Sequence, residues 1–159
     1  MKTLVVYYSR TGNTRTIAES ISESLSCDIE ELTDNKKRTG PLGYLICGKE
    51  GSMKSTPKIN DLNKDISEYK LIIIGTPIWS FNMSGPIRSF VTKFKDSIGK
   101  VAFFCTEGGR GGEIAFKEMS EILWKQPLAT LEITSHDIRD KTVVDKMNIF
   151  ISKILNSKK

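Results

Sequence analysis

The 159 residues predict an α/β fold, a three-layer α/β/α sandwich built on a parallel sheet. Three observations carry that expectation. Short apolar runs alternate with segments of helical spacing along most of the chain. The run Leu71-Ile72-Ile73-Ile74-Gly75 is continuously apolar, as a central strand covered on both faces requires. Finally, three stretches of unusual composition each follow a strand, and the loops after parallel strands gather along one edge of a sheet.

Taken in order, Thr3 to Tyr8 reads as a buried strand. Thr14 to Leu25 carries Ile17, Ile21 and Leu25 at four-residue steps, an apolar stripe on a helix. Asp28 to Leu32 is a short second strand despite its acidic residues. Thr33 to Glu68 contains no clear strand. Leu42, Leu45 and Ile46 have helical spacing there and place a helix near Pro41 to Lys49, because a structureless loop of that length is improbable inside a compact fold. Gly51 to Lys64 reads as an extended surface connection. After the Leu71–Gly75 strand, Pro86 opens a helix at a favoured position, with Ile87, Phe90, Val91 and Phe94 on one face. Lys100 to Cys105 is the next strand, Gly112 to Lys125 the next helix and Leu128 to Ile133 the last strand. Val144, Met147, Ile151 and Ile154 make a closing helix. No repeat or linker divides the chain, so residues 1–159 are expected to form one domain.

Composition narrows the function. With 38% hydrophobic and 27% charged residues, and no apolar run near the length of a membrane span, a soluble cytoplasmic protein is expected. Cys27, Cys47 and Cys105 have no paired spacing and there is a single histidine, so reduced thiols are expected and a metal site is not. The net charge of +5 is thickest around Lys36-Lys37-Arg38, Lys49, Lys54 and Lys58. No basic helix interleaved with aromatics accompanies it, so nucleic acid is not the expected partner.

The three loops carry the chemistry. Ser9-Arg10-Thr11-Gly12-Asn13-Thr14 places hydroxyl and amide groups between the first strand and the first helix. Backbone N–H groups at a helix start lack intrahelical partners and the dipole favours an anion, so the loop suits a phosphate. Both the nucleoside-triphosphate loop Gly-x4-Gly-Lys-Ser/Thr and the dinucleotide pattern Gly-x-Gly-x-x-Gly are absent, which leaves a single phosphomonoester held by neutral donors, or a well-capped turn. The second loop, Thr76-Pro77-Ile78-Trp79-Ser80-Phe81-Asn82, offers large aromatics that suit a planar heterocycle or pack back on the domain. The third, Thr106-Glu107-Gly108-Gly109-Arg110-Gly111-Gly112, has few side chains to block close backbone approach to the polar edge of a ring. His136 follows the last strand and reads as a surface residue.

At these residues the chain resembles the flavodoxin family over essentially its whole length. Tyr8-Ser9-Arg10-Thr11-Gly12-Asn13-Thr14 looks like the phosphate loop, Gly75-Thr76-Pro77-Ile78-Trp79 the second flavin loop and Cys105-Thr106-Glu107-Gly108-Gly109 the third. The resemblance implies a five-stranded parallel sheet of order 2-1-3-4-5 that binds FMN. Ser9 to Thr14 would hold its phosphate, and Pro77 to Asn82 with Thr106 to Arg110 its ring. Two departures stand out. The third loop lacks the tyrosine or tryptophan that many flavodoxins stack on the ring, and a pI of about 9.1 reverses their usual acidity. The resemblance implies an electron carrier between redox proteins, as a monomer or homodimer. The missing aromatic and the basic charge favour instead an NAD(P)H-dependent reductase of quinones or other small acceptors.

Overall fold

A computed structural model describes residues 1–157. Its parallel sheet is formed by β1 (Thr3–Tyr7), β2 (Asp28–Glu31), β3 (Leu71–Trp79), β5 (Lys100–Glu107) and β6 (Thr130–Thr134), ordered β2-β1-β3-β5-β6. That is the 2-1-3-4-5 order of the five parallel strands. A two-residue strand, β4 (Asn82–Met83), pairs antiparallel with the end of β3. The helices are α1 (Asn13–Leu25), α2 (Gly40–Ser52), α3 (Gly85–Phe94), α4 (Gly112–Leu123), α5 (Ser135–Asp140) and α6 (Val143–Asn156).

Successive strand residues point to opposite faces, and each face has its own core. Leu4, Val6, Ile72, Ile74, Val101 and Phe103 pack with Ile87, Phe90 and Val91 of α3 and with Ala115, Phe116 and Met119 of α4. Val5, Ile73, Ala102 and Phe104 pack on the other side with Ile17, Ala18 and Ile21 of α1 and Phe150 and Ile154 of α6. Each large side chain buried this way contributes about 1.5–3 kcal/mol. The centre of the sheet is tightly filled. A Cβ on Gly75 would lie 2.0 Å from the Phe104 ring, so the glycine in β3 makes room for that ring.

Four sequence expectations shift. β3 does not stop at Gly75 but runs through Trp79, and β5 continues from Cys105 to Glu107. A six-residue helix, α5, appears directly after β6, closed by a reciprocal cap between Thr134 and Asp137. In α6, Val144 is 61% exposed, and Val143, Met147, Phe150, Ile151 and Ile154 face the core instead.

The helix placed near Pro41 to Lys49 is α2, and its buried side is not the one its leucines occupy: Leu42 and Leu45 are 71% and 67% exposed, whereas Gly43, Cys47, Glu50 and Gly51 are buried. A Cβ at Gly43 would lie 2.1 Å from the Arg38 carbonyl carbon, and one at Gly51 would lie 2.1 Å from the Trp79 carbonyl oxygen. Gly51 lets the helix backbone down onto Trp79 at the end of β3, Gly43 seats it on the Arg38 backbone, and Leu42 and Leu45 are left outside.

Candidate functional site

The C-terminal ends of β1, β3 and β5 meet α2 and α5 around a cavity of about 700 Å³. Arg10, Thr11, Asn13 and Thr14 line it from the first loop, Pro77, Ile78, Trp79 and Ser80 from the second segment, and Thr106, Glu107 and Gly108 from the third. This is the carboxyl edge of a doubly wound sheet, the usual place for a ligand in such folds.

In the first loop, Gly12 adopts a left-handed φ of 101° as the residue before α1. Its N–H donates to Ser9 Oγ at 3.1 Å, and the Arg15 N–H reaches the same oxygen at 3.3 Å. Ser9 therefore ties the loop to itself, and neither Ser9 nor Gly12 lines the cavity. Thr14 is buried, its Oγ1 2.7 Å from Thr106 Oγ1, so a hydroxyl pair joins the first loop to the third. The first turn of α1 contains no acidic residue to compete with an anion. Arg10 lies with its guanidinium 5.8 Å from the Tyr44 ring and donates weakly to the Arg38 carbonyl at 3.4 Å.

The second segment is a hairpin rather than an open loop. Ile78 pairs with Met83 and Trp79 with Asn82, leaving Ser80 and Phe81 as a two-residue turn with φ of 49° and 66°. Right-handed strand twist favours that turn geometry, although its usual residues are Asn and Gly. Asn82 Nδ2 donates to the Ser80 carbonyl at 2.7 Å, and Ser80 Oγ donates to the Gly48 carbonyl at 2.9 Å, binding the turn to α2. Trp79 is buried, edge-on to Tyr8 at 5.6 Å, and borders the cavity from within the core. Phe81 is exposed, and neither it nor Asn82 lines the cavity.

In the third loop, Glu107 Oε2 accepts from the Gly112 N–H at 3.1 Å, anchoring the carboxylate at the start of α4. Gly108 and Gly109 have nothing within 4 Å of an added Cβ, while one on Gly111 would lie 2.7 Å from Ile78 Cγ2. Thus the loop is held at its end and open at its middle. Gly109 and Arg110 are exposed and lie outside the cavity lining.

Beneath the site is a buried ion cluster. Arg38 donates to both Asp34 oxygens at 2.6 Å, to Glu50 Oε2 at 3.0 Å and to the Tyr8 hydroxyl at 3.2 Å. Its guanidinium also sits 5.5 Å from the Trp79 ring. Burial alone would weaken its proton affinity, but the bonds to Asp34 and Glu50 outweigh burial and raise it. Burial pushes the Cys47 thiol up, and does so far more strongly for Cys105, so neither has the thiolate character of a nucleophile. Burial, followed by the nearby Glu107 and Glu113, also raises the pKa of Glu132 from its ordinary value. His136 is on the exposed side of α5, 3.2 Å from Asp140. Among the described residues, no cluster of His, Cys, Asp and Glu is arranged to hold a metal ion, and no helix is long and apolar enough to cross a membrane.

Sequence reasoning missed two walls of the cavity. Tyr44, Leu45, Cys47, Gly48, Lys49 and Ser52 come from α2, and Ser135 and Ile138 from α5. The small residues at 43, 47 and 51 were the available sign that α2 packs by its backbone and turns its large side chains elsewhere. For α5 the available sign was Thr134-Ser135-His136-Asp137, a Thr-x-x-Asp capping pattern at a helix start.

The sequence model of the family described as NADPH-dependent FMN reductase matches residues 1–136. Among solved structures, the chain is similar to the flavoprotein in complex with FMN from Lactobacillus acidophilus NCFM. The two are 25% identical, with a TM-score of 0.70 over 87% of this chain and 97% of that one. The apo-form of the flavoprotein from the same organism is 27% identical, with a TM-score of 0.63 over 92% and 96% of the two chains. A flavodoxin from the domain Archaea shares the fold at 20% identity, with a TM-score of 0.61 over 100% of both chains.

Proposed function

The chain belongs to the NADPH-dependent FMN reductase family, and from that premise we propose that it is an FMN-dependent oxidoreductase. Electrons would come from a reduced nicotinamide nucleotide and leave to an acceptor through the cavity at the strand ends. The observation that supports this reading is the third loop. Gly108 and Gly109 stand in open space and bring no aromatic ring to that side of the cavity, which leaves room for a second molecule beside a bound ring.

The residues present fit FMN. Thr11, Asn13 and Thr14 stand at the positive end of α1 with Arg10 beside them, a donor set matched to a phosphomonoester. Pro77, Ile78, Glu107 and Gly108 would border the ring. FMN, when bound, supplies both two-electron and one-electron redox chemistry. The chain's own part is to bind, orient and tune. Thr14 and Thr106 hold the two loops in register through their hydroxyl pair. Arg10 places a cation at the cavity and favours negative charge there. The carboxylate of Glu107 acts in the opposite sense, reduced by its bond to the Gly112 N–H. A second reading, an electron carrier between redox proteins, is favoured by one feature: the exposed face of α2 at the mouth of the same cavity.

Anaerobic titration of the FMN-loaded protein tests the choice. Loss of the visible flavin bands with one equivalent of NADPH or NADH is expected. Bands that respond to dithionite but to neither nucleotide would refute the reductase reading and leave the carrier. Failure to bind added FMN at all would remove the flavin from this cavity.

A further inference from the structure

We propose that the outer face of α2 is a docking surface for small acidic one-electron carrier proteins, which exchange electrons with the site through its α2 wall. The proposal rests on the FMN reading above. Its first support is an inverted helix. Leu42, Tyr44 and Leu45 are 71%, 68% and 67% exposed, and Met53, just past the helix, is 66% exposed. Leu42, Leu45, Lys49 and Met53 recur at steps of three and four, so they form one outward stripe. The turn carrying exposed Phe81 is bonded to the middle of the helix through Ser80 and Gly48. Exposed large apolar side chains grouped in this way mark interaction sites.

The second support is charge. Residues 36 to 58 hold six of the chain's 24 basic residues and one of its 19 acidic ones, so the remainder is balanced at 18 against 18. Part of that excess is consumed internally, since Arg38 is buried in its cluster and Lys36 and Lys54 pair with Glu50 and Glu118. Lys37, at the entrance to α2, and Lys49, on its stripe, have no carboxylate within ion-pair distance among the described residues. An apolar centre with a cationic rim complements a partner whose apolar centre has an acidic rim. A second copy is disfavoured, because a two-fold contact uses the same patch on both sides and would set its cationic rim against another cationic rim.

The third support is continuity. Tyr44, Leu45 and Lys49 line the cavity as well as the outer face, so a partner on α2 is one side chain away from whatever the cavity holds. The electron balance closes: one NAD(P)H and two oxidised carriers give NAD(P)⁺, a proton and two reduced carriers. Encounters of this kind use small interfaces, below about 1,200 Å² in total, and a single helix face is of that order.

The test uses two acidic probes, a rubredoxin and a [2Fe–2S] ferredoxin, with basic cytochrome c as the control. Binding is measured by calorimetry for the apoprotein and the FMN-loaded protein, at low and high salt. Micromolar binding of an acidic probe, weakened at least tenfold by 0.5 M salt and by Leu42→Asp or Lys37→Glu, is expected. Neither residue lines the cavity, so FMN affinity should be unchanged in both variants. Absence of binding to either acidic probe, insensitivity to both substitutions, or equal binding of cytochrome c would overturn the proposal. So would a dimer that Leu42→Asp dissociates, or equal binding to anionic vesicles. If FMN itself fails to bind, the function proposed above fails, and the calorimetry with apoprotein still decides the docking surface.

Discussion

Replacing Arg38 by methionine isolates what holds the α2 wall in place. The Arg38, Asp34 and Glu50 side chains are 1%, 3% and 6% exposed, and the guanidinium bonds both carboxylates and the Tyr8 hydroxyl. Methionine fills much of the volume but leaves Asp34 with no counterion and Glu50 with only Lys36, whose side chain is 51% exposed. Removing one partner of a buried ion pair costs about 3–5 kcal/mol, because the charge left behind is stranded away from water. Lys36 offsets part of this, so a loss of about 3 kcal/mol is expected for Arg38→Met, near the lower end of that range. For a chain of this size, that lowers Tm by about 6–12 °C. Urea unfolding at pH 7, read by fluorescence and circular dichroism, measures the loss directly. The triple variant Asp34→Asn, Arg38→Met, Glu50→Gln should recover most of it, since it removes the stranded charges together. FMN affinity should fall in the single variant, because the Arg38 backbone is the floor on which Gly43 and Arg10 rest. A loss below about 1 kcal/mol, the scale of an exposed pair, would refute the reasoning, as would a triple variant no more stable than the single one.

Two further expectations concern the rest of the site. Glu132 has a raised folded pKa, through burial and then Glu107 and Glu113, so its contribution to stability is fully present below the unfolded value and is lost as pH rises through the folded one. Glu132→Gln should therefore raise Tm at pH 7 and leave it unchanged near pH 3.5, and an equal effect at both would rule out titration of this group. Gly51→Ala places a methyl 2.1 Å from the Trp79 carbonyl oxygen, a backbone atom that cannot turn aside. It should cost about 1–3 kcal/mol in chemical denaturation and loosen the contact between α2 and the hairpin, seen as weaker FMN binding. A neutral effect on both would mean that α2 is not seated as described.

The sheet and one edge of it are written in local pattern. Continuous apolar runs and three- and four-residue apolar spacing are local signals, and the alternation of strand and helix leaves few topologies, so the α/β sandwich and the gathering of three strand-end loops were legible. The hydroxyls of Thr11 and Thr14 and the amide of Asn13 at the start of α1 were legible for the same reason. Their chemistry depends on a strand-to-helix junction that the local sequence specifies. Residues with two acceptable fates are disposed of by long-range packing, which no local pattern encodes. Trp79 and Leu45 look alike to a hydropathy pattern. One is buried beside Tyr8 and Arg38 and the other exposed, because Gly51 lets the α2 backbone close over Trp79 at the end of β3 while Gly43 seats it on Arg38. The capture of Ser9 by its own loop, the anchoring of Glu107 by Gly112 and the cluster around Arg38 also join atoms that no periodicity relates. Local pattern fixes which elements form, whereas the fit between their surfaces fixes which side chains reach the cavity.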